Sequence, residues 1–352
     1  MNCNDLTARV LDLPVRGITR LKSQYSCGNE REFYSEADYW WRNPDDPAGK
    51  YINRDGESNP DCFNRHRKVL MRLSCITGFL SQKYMQSSEK VLLDKLCEHL
   101  HIWFADKDVS MLPHLEYSQA IRNQVPGRNY GIIDTIHLAE VALAVLKFRK
   151  DMPQELVNAV TGWFEEYLQW LCTSELGIAE RNTVNNHAVC WYLQAAAFAH
   201  LTENKTLLDE FRNDFADRLL EQIAADGSLP QELKRTKPYG YELFTLEAFA
   251  GLAALLSTPQ YNAFLVRKDA GGSVFEAVSF MIPYIEDKSK WRWRNDVKYF
   301  DYWPVKQNAL YLMDAFCGKM ESFELWKKLP DYSLKFELVR NYPIRNPELW
   351  II

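Results

Sequence analysis

The chain has 352 residues, 47% of them hydrophobic and 25% charged, with a formal net charge of −5. This is an ordinary globular profile, and it excludes a disordered or fibrous chain. The acidic balance provides no basic field for nucleic acid or an anionic membrane, and no apolar run reaches the length of a membrane span.

The first residues, Met1-Asn2-Cys3-Asn4-Asp5, lack a basic-then-apolar leader. The expected location is periplasmic or secreted if a signal has been removed, and cytoplasmic otherwise. Eight cysteines are scattered without a C-x-x-C pair, which implies neither a zinc site nor a disulfide framework.

Residues 1–65 read as an irregular, aromatic-rich segment packed on the rest. In Tyr34 to Pro47, and on to Asn59-Pro60-Asp61, proline, glycine and Asx residues break every period. Trp40 and Trp41 cannot both point inward in an extended stretch, so one of them is expected to face a cleft.

From His66 the pattern is helical. Val69, Leu73, Ile76 and Leu80 form one stripe, and Leu93, Leu96, Leu100 and Trp103 the next. Further stripes are Leu138/Val141/Val145/Phe148, Val160/Phe164/Tyr167/Leu171, Leu208/Phe211/Phe215/Leu219 and Phe244/Ala248/Leu252/Leu255. All have 3-and-4 spacing, and short links such as Asp151-Met152-Pro153 join them into antiparallel pairs. Repeated hairpins bury their stripes only by stacking, and Ala195 to Ala199 is apolar all round, as in an inner ring. The expected fold is all-α: a single-domain (α/α) toroid or incomplete barrel of about five to seven helical hairpins over 66–330, with a C-terminal tail from 331 to 352.

Long polar inserts at 105–131, 174–187, 226–240 and 286–305 would gather at one rim of such a ring. In Asn185-Asn186-His187, one of the two amides is expected to cap the helix that follows. His187 then lies in its first turn, with Trp191 and Gln194 on the same face, a combination suited to a sugar ring. The 226–240 insert carries Lys234, Arg235 and Lys237 beside Tyr239 and Tyr241, and the 286–305 insert again mixes cations with aromatics. An acidic sugar polymer fits that pattern. The expected groove lining is Trp40, Trp41, Gln119, Arg122, Arg128, Tyr130, Trp191, Tyr239, Arg294, Tyr299 and Lys306.

Several ordered blocks carry a family resemblance: Asp38-Tyr39-Trp40-Trp41, Arg54 to Pro60, Leu115 to Ala120, Gly131 to Thr135, Asn185-Asn186-His187, Asp226-Gly227-Ser228, Glu232 to Thr236 and Tyr241 to Phe244. Together they resemble the alginate lyase family of polysaccharide lyases over roughly 35–310. The resemblance implies an α/α toroid that cleaves uronate polymers by β-elimination, with Asn186, His187, Tyr241 and Arg235 in the site. This sequence departs from the family pattern in Ala188-Val189-Cys190 and in a short Arg235-to-Tyr241 spacing, which leaves Tyr239 and Tyr241 as alternatives for the site phenol.

The residue types suit the chemistry. Taking the C5 proton of a uronate builds a dianion that Asn186, Arg235 and His187 would stabilise. One group must accept that proton and another must protonate O4. Tyr241 could do both on one ring face, or His187 could be the base and Tyr241 the acid on opposite faces, with Lys234, Arg235 and Lys237 easing ionisation of the phenol. No metal or other cofactor is expected; the partner is an acidic polysaccharide such as alginate, and the chain is expected to act as a monomer. The rival readings are a glycoside hydrolase using two of Glu116, Asp134, Glu232 and Asp296, and a sugar-binding protein without catalysis.

Overall fold

The computed structural model describes residues 3–268 and 270–352, with side chains from residue 5 onward, so Cys3 enters only through its backbone. The helices are α1 (Cys3–Leu11), α2 (Arg65–Ser87), α3 (Lys90–Leu100), α4 (Leu138–Phe148), α5 (Gln154–Thr173), α6 (Glu175–Arg181) and α7 (Asn186–Leu201). They continue with α8 (Lys205–Asp217), α9 (Pro230–Leu233), α10 (Pro238–Leu256), α11 (Val274–Glu286), α12 (Asn308–Cys317), α13 (Met320–Lys328) and α14 (Phe336–Arg340). Among the described residues, α2, α4, α7, α10 and α12 pack in that order as an inner row; α3 lies outside α2, α5 and α8 outside α7, α11 outside α10, and α13 outside α12. This is an α/α toroid.

The inner helices owe their positions to composition. α7 and α10 are apolar on nearly every side, and Ala195, Ala196, Ala197 and Ala199 on one meet a neighbour carrying Ala248, Ala250, Ala253 and Ala254, all of them buried. Small side chains let the axes approach, and a large residue locked between them, such as Leu193 of α7 against Gly251 of α10, contributes roughly 1.5–3 kcal/mol by leaving water. At Gly251 a Cβ would come within 3.0–3.1 Å of Leu193, Trp350 and Ile344, so the ring is packed to the limit there.

Both chain ends depart from the sequence reading. Residues 3–11 form helix α1 within the stretch expected to be irregular. Within 331–352, residues 337–350 return to the core rather than trailing as a tail: Ile344 and Trp350 are fully buried, and residues 347–350 pack against α4, α10 and α12. Glu140 on α4 accepts hydrogen bonds from the backbone N–H of Arg345 (2.7 Å) and Asn346 (3.0 Å) and from Trp350 Nε1 (3.0 Å). Arg345 reaches on to Ser74 of α2, so this segment ties both ends of the inner row together.

Two small sheets cover one end of the ring. β1 (Tyr34–Glu36) pairs in parallel with β4 (Tyr117–Ala120), and β2 (Trp40–Trp41) pairs antiparallel with β3 (Ile52–Asn53). They hold the 34–61 stretch over the N-terminal ends of α7 and α10.

Candidate active site

Two inner helices begin at the covered end. Asn185 is the cap of α7, its side chain accepting from His187 N (3.2 Å), which leaves Asn186 and His187 in the first turn. α10 begins with Pro238, and no side chain from its own first residues caps it. Asp296, from the 286–305 insert, accepts from Tyr239 N (2.8 Å) and Gly240 N (2.9 Å) instead. Tyr241 follows one residue later. The positive ends of both helices thus meet over one cavity, an arrangement that favours an anionic ligand.

The cavity has a volume of about 410 Å³, and Asn186, His187, Arg235 and Tyr241 all line it, with Trp40, Gln119, Arg128 and Tyr130. Asn186 is almost fully buried; its backbone N–H donates to Glu232, while its side-chain oxygen has no partner among the described residues. His187 Nδ1 lies 2.5 Å from Glu180, a fully buried carboxylate of α6 that also accepts from Asn129. A carboxylate can only accept, so it holds the proton on Nδ1 and leaves Nε2 as an acceptor. The Tyr130 ring meets the imidazole edge-on at 4.9 Å.

Arg235 bonds Asp55 (2.7 Å) and Glu232 (3.3 Å), and its guanidinium sits 3.8 Å from the Tyr241 ring centre. Burial of Asp55 opposes ionisation, yet Arg235 and Thr236 hold its carboxyl below the usual range. Tyr241 Oη donates to Tyr39 Oη at 3.1 Å. Burial and the Tyr39 phenol push Tyr241 well above its ordinary pKa despite Arg235. The expectation that basic neighbours ease its ionisation is therefore reversed: burial outweighs them. Lys234 is exposed, and Lys237 is committed to Glu337 at 2.5 Å.

Four arginines and three aspartates line the cavity. Asp38 is bonded by Arg340 (2.8 Å) and Arg67 (3.2 Å), and Arg67 also pairs with Asp134. Burial would raise Asp38, but Arg340 and Arg67 keep it below the usual carboxylate range. Among the described residues Arg128 alone of the four has no carboxylate partner: its Nε and Nη2 donate to the backbone and side-chain oxygens of Gln119.

The remaining expected contacts lie elsewhere. Trp191 is fully buried, packed against Tyr192 and Phe211, and Gln194 bonds Thr135 and backbone carbonyls in the core. Because α7 is enclosed on all sides, only its start lines the cavity. Tyr239 is also fully buried, donating to Tyr284 O, so of the two alternatives it is Tyr241 that lines the cavity. Arg122 forms a double hydrogen bond with Glu36 and cannot serve the groove. Trp41 donates to Glu57 O with Arg54 over its ring, so it is Trp40 that faces the cavity. Arg294 bonds the backbone carbonyls of Lys234 and Arg235, Lys306 pairs with Asp331, and Tyr299 lines a smaller neighbouring recess with Lys237 and Glu337. Sequence reasoning missed Glu180, Tyr39, Asp55 and Arg340. Tyr39 and Asp55 stand inside blocks already singled out, Glu180 lies one helical turn before the Asn185 loop, and Arg340 has no local signal.

A family model described as alginate lyase matches residues 19–291. No curated protein matches the chain in sequence. Among solved structures, an alginate lyase from Bacteroides ovatus is similar at 25% identity and TM-score 0.81, over 97% of this chain and 91% of that one. Alginate lyase A1-III from Sphingomonas species A1 is similar at 15% identity and TM-score 0.60, over 99% and 94%. A substituted form of A1-III complexed with a tetrasaccharide gives 13% identity and TM-score 0.59, over 96% and 89%. With the match spanning both helix starts and the covering segment, the chain belongs to the alginate lyase family.

Proposed function

We propose that the chain cleaves alginate and related polyuronates by β-elimination, with Asn186, His187, Arg235 and Tyr241 acting on one sugar. The observation that carries this reading is the convergence of an amide, an imidazole with a free acceptor nitrogen, a guanidinium and a protonated phenol on a single cavity.

A uronate carboxylate placed between the two helix starts meets Asn186 and Arg235, whose positive character offsets the charge that grows as C5 loses its proton. Asn186 lines the cavity, and its Nδ2 is the side-chain atom that can donate to this carboxylate. His187, oriented by Glu180, takes the C5 proton on Nε2. Tyr241, kept protonated by burial, gives its proton to the departing O4, and Tyr39 holds the phenol by its hydrogen bond. The C4–O4 bond breaks as the C4–C5 double bond forms, leaving one unsaturated uronate end and one new hydroxyl end.

The hydrolase reading needs two free carboxylates astride the bond. Of Glu116, Asp134, Glu232 and Asp296, only Asp134 lines the cavity, and it is bound by Ser35, Arg67 and Gln119. Incubation with alginate and with a β-linked polyglucuronate separates the readings: ultraviolet-absorbing unsaturated ends support elimination, and saturated reducing ends without that absorbance overturn it.

A further inference from the structure

Arg128 is built into the cavity wall, and nothing in the elimination step uses it. Its backbone is clamped: Arg128 N donates to Ser118 O at 2.9 Å. A Cβ at Gly127 would collide with the Glu116 carbonyl, and one at Gly131 with Ser118, so the loop lies flush on β4 and only glycine fits at either position. The guanidinium is held in plane by Gln119 through Nε (3.0 Å) and Nη2 (3.2 Å). Trp40 and Tyr130 lie 5.5 and 5.2 Å from it.

Gln119 is in turn fixed. Its backbone takes φ +48°, an uncommon value for a residue with a side chain; its N–H donates to Ser35 and its amide to Asp134, which Arg67 anchors. Local strain of this kind persists where the surroundings hold a functional group in place. The result is a cation whose Nη1 has no hydrogen-bond partner among the described residues, in a cavity where every other arginine is matched by a carboxylate. Asp134, Asp38 and Glu180 act on it only from beyond hydrogen-bond distance; a desolvated cation without a contacting counter-charge is unfavourable, and a planar fork is matched by a carboxylate.

We infer that Arg128 binds the carboxylate of the sugar adjoining the one that is deprotonated, so that the site reads two consecutive uronates. The inference rests on the elimination reading above for which sugar is which. Tyr130 makes the spatial link: its ring touches both the Arg128 guanidinium and the His187 imidazole, so the two groups serve neighbouring parts of one ligand.

The test compares two tetrasaccharides, one of consecutive uronates and one in which uronates alternate with N-acetylhexosamine, on the wild type, Arg128→Gln and Arg128→Lys. Loss of a charge-assisted contact predicts that Arg128→Gln lowers kcat/KM on consecutive uronates roughly ten- to a hundredfold. An unchanged denaturant midpoint shows that the variant is folded, and its affinity for the alternating tetrasaccharide, measured by calorimetry, should fall less than its affinity for consecutive uronates. Arg128→Lys should recover part of the loss. Equal losses on both substrates, or no loss on either, overturn the assignment. If the wild type yields no unsaturated product from either substrate, the elimination reading falls; calorimetric titration of the same tetrasaccharides then decides Arg128 alone, weaker binding by Arg128→Gln of consecutive uronates only being the supporting result and unchanged or equally weakened binding the opposing one.

Discussion

Glu180 Oε1 lies 2.5 Å from His187 Nδ1, and the two residues belong to different helices, α6 and α7. The carboxylate is fully buried while the imidazole reaches the cavity, so one end of the ring is fixed in the protein and the other is offered to substrate. Glu180→Gln keeps the volume but can donate to Nδ1, which moves the ring proton to Nε2, where a base must be free. The expected outcome is a fall in kcat on the order of a hundredfold or more with a small change in KM. Steady-state kinetics checks it, and an unchanged kcat would show that Glu180 does not set the tautomer.

His187→Ala and Tyr241→Phe should each remove turnover by separate routes. The first deletes the proton acceptor and the second the proton donor, each expected to lower kcat on the order of 10²–10⁴-fold. Tyr241→Phe also gives up the hydrogen bond to Tyr39, a stability change of about 1 kcal/mol. Both variants should therefore unfold cooperatively near the wild-type denaturant midpoint and still bind a tetrauronate by calorimetry. Full activity in either would reassign that role.

The inner helices were legible because they are periodic: every residue of the stripe from Leu138 to Phe148 is buried, as its spacing requires. The same signal misled at Trp191 and Gln194. Periodicity shows that residues share a face but not what covers it, and α7 is covered on every side. Arg340 was illegible for a different reason. Its partner Asp38 stands 302 residues away, and a buried ion pair of that separation leaves no local pattern. Arg122 and Arg128 are both loop arginines, six residues apart, and only packing separates them: Glu36 occupies the first, while the second has no carboxylate partner. The Asn185 cap and the His187 position were legible because helix starts are encoded by the residues that form them.

Glu247 in α10 makes a specific pH prediction. It is almost fully buried, accepts from Ala309 N, and has one oxygen without a partner among the described residues; burial pushes its carboxyl up to about 8 from an ordinary 4.5. Between those values the unfolded chain has lost the proton while the folded one keeps it, so the folded state binds more protons and stability falls as pH rises through that window. Above about 8 the decline levels off. Glu247→Gln cannot ionise and should flatten this part of the profile. Thermal melts from pH 5 to 8 measure the difference, and an identical slope in variant and wild type would rule Glu247 out as its source.

Asp296 caps α10 from a distant loop, and α10 carries Tyr241 in its first turn. Burial raises the Asp296 carboxyl to about 6 even though the Gly240 and Tyr239 amides favour its charged form. Removing it in Asp296→Ala strands two N–H groups that no other side chain reaches, at a cost of about 1–2 kcal/mol by denaturant titration. The Lys237–Tyr241 turn should then fray, moving the phenol relative to Arg235 and Tyr39. The kinetic consequence is a fall in kcat larger than any rise in KM, because the displaced group acts in proton transfer rather than in holding the polymer. Asp296→Asn keeps an oxygen acceptor and should recover most of the stability and part of kcat. A variant that loses stability while keeping full kcat would show that the cap supports the helix without positioning Tyr241.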